Sequence, residues 1–130
     1  MTYGTTVTTR LPFDEAVALT RAALATQGFG ILTEIDLQAT LKTKLDKDME
    51  PYLILGACNP QLAHQALEVE RDIGLLLPCN VVVRRDGEQT LVQALDPQVM
   101  VSLPGLPALQ PVADEAARRL KAALDEISAA

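Results

Sequence analysis

Hydrophobic positions along this chain recur with two spacings, one typical of helices and the other typical of strands. Repeats of three and four residues predict helices at about 13–27, 60–70 and 111–127. Alternating or continuous apolar runs predict strands at 5–9, 29–35, 52–57, 79–85 and 88–95. With a short helix after Asp36, the predicted element order is β-α-β-(α)-β-α-β-β-α.

Several helix ends carry signals of their own. Gly28 stands where a helix ends in a left-handed residue. Asn59 followed by Pro60 combines an N-cap with a proline at the first helical position. Asp36 can cap a short helix in the same way. The apolar stripe that this short helix is expected to bury is Leu37, Leu41 and Leu45.

The clearest local signal is a hairpin over residues 79–95, with Asp86-Gly87 predicted as its turn. This turn would place Val83 opposite Thr90. The apolar face of the hairpin is then expected to contain Cys79, Val81, Val83, Val92 and Ala94. Alternation in the second strand likewise predicts one buried face made of Phe29, Ile31, Thr33 and Ile35.

A hairpin requires an antiparallel strand pair, which disfavours a purely parallel sheet. We therefore predict a single α+β domain over residues 1–130. It has two layers, a mainly antiparallel sheet with helices on one face. The proline-rich residues 97–110 are expected to form a loop with at most one short turn.

Charge and composition narrow the function classes. Eleven Lys and Arg stand against 17 Asp and Glu, a formal charge of −6, and no basic stretch is present. We therefore predict no nucleic-acid partner, because phosphate contacts need clustered basic residues. The sequence shows no signal peptide and no apolar run of the roughly 20 residues that span a bilayer. We expect a cytoplasmic protein without a membrane partner.

Cys58 is the first candidate for chemistry, because a strand ends there and a helix begins next to it. Its sulfur could lie near the unpaired N–H groups of that helix, which can lower a thiol pKa or hold an anion. The alternative is that Cys58 has only a packing role, as a small apolar residue that fills space at a strand end. Cys58 is also not followed by an Arg six residues later, which excludes the phosphatase-type loop.

Cys79 begins a strand, and its place on the hairpin directs it into the core or a cavity there. If the strands of Cys58 and Cys79 run antiparallel, both thiols lie at the same end of the sheet. No cluster of Cys and His completes a zinc or copper site, so we predict no metal and no cofactor. A disulfide remains open.

Other polar residues have simpler explanations. His64 falls on the polar side of its helix, opposite the apolar stripe, and is a poor candidate for a catalytic base. Lys42, Lys44 and Lys47 alternate with acidic residues, as in a solvated helix end. The run 75–77 is either core or a patch for a partner subunit.

Two segments carry a resemblance to a known family: 54–60, which reads ILGACNP, and 77–81, which reads LPCNV. Together with Gly28-Phe-Gly30 upstream and Asp96-Pro97 downstream, they resemble the bacterial family catalogued as domain of unknown function 302, over about residues 5–100. The resemblance implies a compact, homodimeric α+β domain without an assigned activity. The positions that it marks are Cys58, Asn59, Pro60, Pro78, Cys79 and Asn80.

The leading hypothesis is a small binding or accessory domain with a pocket for a small molecule or anion. Its candidate binding residues are Asp36, Cys58, Asn59, Cys79 and Asn80. The alternative is a thiol-dependent or redox enzyme that uses Cys58, with Cys79 as the resolving thiol. A third hypothesis is purely structural: the Cys-Asn motifs shape a turn and a dimer interface.

Overall fold

The computed structural model describes residues 3–130. The strands are Gly4–Thr9 (β1), Gly30–Asp36 (β2), Tyr52–Cys58 (β3), Cys79–Asp86 (β4) and Gln89–Leu95 (β5). The α-helices are Phe13–Thr26 (α1), Leu37–Leu45 (α2), Pro60–Val69 (α3), Val99–Ser102 (α4) and Gln110–Ser128 (α5). Two short 3₁₀ segments, Arg71–Leu76 and Pro107–Leu109, complete the order.

The strands form one open sheet in the order β1-β5-β4-β3-β2, with every neighbouring pair antiparallel. The predicted fold class, α+β with an antiparallel sheet, is therefore confirmed. The predicted element order also holds, with α4 and the two 3₁₀ segments added. Among residues 3–130, no helix combines the length and apolar character needed to cross a bilayer.

The main core lies between the sheet and two helices, α1 and α5. Leu55, Val83 and Val92 come from three adjacent strands and are completely buried against these helices. The apolar stripe of α5 is buried along its length, as its helical spacing predicts. A second, smaller core joins α3 and the first 3₁₀ segment to α4 and the start of α5.

The other side of the sheet is called the open face here. Its middle row crosses all five strands as Thr6, Gln93, Val82, Ile54 and Ile35. Directly paired residues of antiparallel strands point to the same side, so this row shares one face. Neither core cluster within the described residues contains a member of this row.

The predicted buried face of β2 is wrong in its second half. The register between β2 and β3 slips between Ile31 and Thr33, where Ile31 faces Ala57 and Thr33 faces Gly56. This β-bulge at Leu32 reverses the alternation, so Thr33 and Ile35 lie on the open face. Ile35 is accordingly 46% exposed instead of buried.

The hairpin has the predicted faces but not the predicted register. Val83 pairs with Val92 and Arg85 with Thr90, which moves the pairing by two residues and preserves the alternation. The turn residues are therefore Gly87 and Glu88. Gly87 has φ +61°, and a glycine with positive φ at the first turn position is typical of a type II′ turn.

Two smaller expectations also need correction. Helix α2 buries none of its residues fully, and Leu45 is 62% exposed at its end. Its predicted stripe is only half-buried at Leu37 and Leu41, because α2 follows an edge strand. Residues 97–110 are more ordered than a loop, since α4 and a 3₁₀ segment lie there.

Candidate functional site

The two cysteines lie at the same end of the sheet. Cys58 ends β3 and Cys79 begins β4, and these strands are antiparallel neighbours in which Ala57 pairs with Cys79. Both cysteines are free thiols, Cys79 buried and Cys58 half-buried. Cys79 belongs to the apolar side of the hairpin, as its alternation predicts.

Asn59 connects the end of β3 to the start of α3. Its side-chain oxygen Oδ1 accepts a hydrogen bond from the backbone N–H of Leu62 at 3.1 Å, which is the predicted N-cap. Pro60 follows at the first helical position, where its missing N–H leaves no bond unmade. Asn59 is only 6% exposed, so this cap is part of the interior.

A small cavity adjoins both cysteines and Asn59. Its volume is about 20 Å³, room for roughly one water-sized group. Among the described residues that line it, Asn59 alone carries a side-chain nitrogen or oxygen. The lining residues are Phe29, Ala57, Cys58, Asn59, Leu62, Ala63, Ala66, Leu77, Cys79, Met100, Val112 and Ala116. The cavity is therefore almost entirely apolar, and both cysteines belong to its lining.

Burial sets the electrostatics of the two thiols. Desolvation raises the pKa of Cys58 above its ordinary value. Desolvation and, secondarily, the charge of a Cys58 thiolate raise the pKa of Cys79 to about 11. The proximity of Cys58 to the first turn of α3 therefore does not outweigh its burial. Both thiols are mainly protonated at neutral pH.

Arg119 of α5 reaches the same end of the molecule. Its Nε donates to Glu115 Oε1 at 2.8 Å, and its Nη1 donates to the carbonyl oxygen of Gln27 at 3.4 Å. Gly28 follows with φ +83°, as the helix-end signal predicts. Arg119 thus fixes the end of α1 against α5, next to Asn59.

Two predicted binding residues lie away from the cavity. Asp36 pairs with Leu53, at the opposite end of β3 from Cys58. Its carboxylate accepts a hydrogen bond from the N–H of Ala39 at 2.9 Å, so Asp36 caps α2. Asn80 pairs with Gly56 and belongs to the open face, where it is exposed. The structure thus brings together Cys58, Asn59 and Cys79.

The other polar candidates are placed as their patterns predict. The His64 side chain is 74% exposed and lies 3.2 Å from Glu68 on the outer face of α3. Lys42 forms exposed ion pairs with Asp46 and Asp48 beyond α2. No group of three or more His, Cys, Asp or Glu that could hold a metal occurs within residues 3–130.

Several cavity residues have no signal in the sequence. Met100 comes from α4, and Val112 and Ala116 come from the first turns of α5. Their apolar character predicts burial, but no spacing connects them to Cys58. Arg119 was also missed, because its role depends on the approach of α5 to the end of α1.

The fold and site define a class: a small α+β domain with an open antiparallel sheet and a cavity beside two cysteines at one sheet end. A family model described as "Domain of unknown function DUF302" matches residues 5–127. The chain belongs to this family, as its Cys-Asn motifs predict. No curated protein matches it significantly.

A solved structure supports the same assignment. The crystal structure of an uncharacterized conserved DUF302 protein from Bacillus stearothermophilus is similar, with a TM-score of 0.91 and 29% sequence identity. The similarity covers 97% of this chain and 98% of that one. The fold described above is therefore that of the family, and the function of both proteins has to be argued from the site.

Proposed function

We propose that this protein is a non-catalytic binding domain whose ligand site is the cavity beside Cys58 and Cys79. The observation that carries the proposal is that the two Cys-Asn motifs, distant in sequence, contribute Cys58, Cys79 and the capping residue Asn59 to the lining of one cavity. The site is built on two strand ends and a capped helix, and these rigid elements hold its residues in place.

The cavity restricts the chemistry of the ligand. A volume of about 20 Å³ accepts one methyl-sized group. Apolar walls favour a neutral group over a charged one, because an unpaired charge loses its hydration there. We therefore propose a small molecule that inserts an apolar end beside the thiols and keeps its polar part outside. An anion is the less favoured ligand.

The thiol-enzyme alternative predicts a lowered pKa for Cys58. Burial raises the pKa of this thiol instead. A nucleophilic or redox thiol works through its thiolate, which is scarce at pH 7 when the pKa is raised. Cys79, as a resolving thiol, has a pKa of about 11. The raised pKa values of both thiols favour binding over catalysis.

The proposed setting is the bacterial cytoplasm, where a reducing environment keeps both thiols free.

Methyl NMR spectra during titration with 1-propanol and with propanoate test the proposal. The two probes share an apolar end and differ in charge. We expect 1-propanol to shift the methyl signals of Met100 and Leu62 more than propanoate does. The variant Ala66→Val, which fills the cavity, should abolish these shifts. Absence of shifts at the cavity, or equal shifts in Ala66→Val, would contradict the proposal, and a stronger response to propanoate would favour an anion.

A further inference from the structure

The middle row of the open face belongs to neither core cluster of the described residues. At its centre, Val82 of β4 lies between Ile54 of β3 and Gln93 of β5. Ile35 extends this row to the edge strand and is 46% exposed. A sheet normally buries one face and solvates the other, with polar residues on the solvated side. Three branched apolar residues in one row depart from that pattern.

We infer that the open face binds the open face of a second copy of this chain. The sequence and its family resemblance predict a homodimer without locating the interface. The inference concerns this surface and does not depend on the ligand proposed for the cysteine cavity. Two sheets stacked in this way would form a four-layer sandwich, with helices outside and both sheets inside.

The size of the open face meets what a specific dimer needs. Five strands about 4.8 Å apart, each with about six residues rising ~3.4 Å, present a face of ~500 Å². Two copies would then bury on the order of 1,000 Å², the lower bound for a biological interface. Side-chain relief increases the accessible area above this flat estimate. The area meets the minimum for a specific dimer, and the affinity depends on the contacts at the centre of the face.

The charges of the open face are complementary to a second copy. Arg84 and Glu50 both line a concavity of about 480 Å³ on this face. Neither residue forms an ion pair with any other part of residues 3–130. Arg84 donates one hydrogen bond, from Nε to Oε1 of Gln93 at 3.0 Å. Its guanidinium therefore retains donors for a carboxylate.

A two-fold axis parallel to the strands and midway between β3 and β4 satisfies both charges at once. It lays β4 of one copy over β3 of the other, with the same strand ends together. Because Arg84 pairs with Tyr52 at the start of β3, Arg84 of each copy then approaches the region where Glu50 of the other copy lies. An isologous interface uses each such pair twice. Ile54 and Val82 then form the apolar centre.

A second exposed apolar surface offers a matched control. Leu75 is 88% exposed and Leu103 69% exposed, and both border a groove next to the first 3₁₀ segment. Glu70 and Asp72 line this groove as well. Two copies would therefore bring like charges together there, which disfavours it as a self-interface.

Sedimentation velocity combined with light scattering tests the inference. The wild type should have twice the 14.0 kDa mass of one chain at micromolar concentration. Val82→Asp should dissociate it, with an unchanged circular-dichroism spectrum, and Leu75→Asp should leave the mass unchanged. Arg84→Glu and Glu50→Arg should each weaken the dimer by about tenfold or more, and the double variant should recover much of that loss.

The alternative results would overturn the inference. The inference is wrong if the wild type is monomeric at high concentration, or if the dimer persists in Val82→Asp. It is also wrong if only Leu75→Asp dissociates the dimer. A double charge variant that binds no more tightly than the single ones would also overturn it. The charge variants keep the test decisive even if Val82→Asp fails to fold, because Glu50 is exposed and Arg84 lies outside both core clusters.

Discussion

The side-chain nitrogen Nδ2 of Asn59 lies directly beside the backbone of Gly28. A Cβ at Gly28 would come within 3.0 Å of this nitrogen and within 3.1 Å of Nη1 of Arg119. The end of α1, the start of α3 and the middle of α5 therefore meet at a position that a side chain would occupy. The cysteine cavity lies next to this junction, since Asn59 lines it.

Gly28→Ala should destabilise the protein for two reasons. Gly28 has φ +83°, a left-handed conformation that costs an L-residue about 1–2 kcal/mol, and the new Cβ would crowd Asn59 and Arg119. Gly105→Ala is the matched control, because Gly105 has φ +69° with nothing near its Cβ position and follows a helix as Gly28 does. Urea unfolding should show a larger loss for Gly28→Ala. Equal losses would mean that crowding contributes nothing.

Asn59→Ala should lower the free energy of unfolding by about 1 kcal/mol, because the Leu62 N–H loses its cap. Asn59→Asp retains the acceptor oxygen and should lose much less. Thermal and urea unfolding of the two variants compare them directly. Equal destabilisation would show that the amide nitrogen, and not the cap, is what stabilises this position.

Gly56→Ala should destabilise the centre of the sheet by about 1–3 kcal/mol, as overpacking does. A Cβ at Gly56 would clash with Oγ1 of Thr33 and would lie 2.9 Å from Cγ of Pro78. Thr33→Ala removes the nearer atom, so it should recover part of the loss in the double variant. A double-mutant cycle by urea unfolding measures this coupling, and strictly additive effects would contradict the steric explanation.

Ala66→Val adds two carbon atoms, and the cavity that Ala66 lines has room for about one of them, so this substitution should cost less than the same change in a filled core. The expected change in unfolding free energy is within about 1 kcal/mol, including the lower helix propensity of valine. Ala23→Val is the control: Ala23 is completely buried in the main core and lines no described cavity near the cysteines. It should cost about 1–3 kcal/mol. Similar losses at both sites would mean that the cavity cannot accept the added carbon atoms.

The Cys79 thiol should make stability fall at high pH. Its pKa is raised to about 11 in the folded protein, so the folded state holds this proton more tightly than the unfolded state. The stabilisation is complete below the ordinary thiol pKa of about 9 and is lost as the pH rises towards 11. The loss should approach ~2–3 kcal/mol.

The difference in urea unfolding between the wild type and Cys79→Ala, measured from pH 7 to 11, isolates this effect from other titrating groups. Cys58→Ala is the control, because Cys58 is half-buried and its pKa is raised without the large shift of Cys79. Its pH dependence should be weaker. A flat difference for Cys79→Ala would show that Cys79 gains access to solvent in the folded protein.

Local patterns in the sequence determined most of the elements and several functional details. Asn59 before Pro60 predicts the start of α3, and Asp36 predicts the cap of α2, because a capping side chain and the N–H that it accepts are three residues apart. The alternation along the hairpin placed Cys79 in the core for the same reason: side-chain direction within a strand depends on neighbouring residues alone.

Tertiary structure decided what the local patterns left open. The bulge at Leu32, the two-residue shift of the hairpin register and the exposure of Leu45 all depend on how neighbouring strands pair. Met100 and Arg119 reach the site only because α4 and α5 pack beside α3 and α1. Such contacts follow from the packing of the whole domain. A periodic pattern specifies which side of an element is apolar, but not which distant element will cover it.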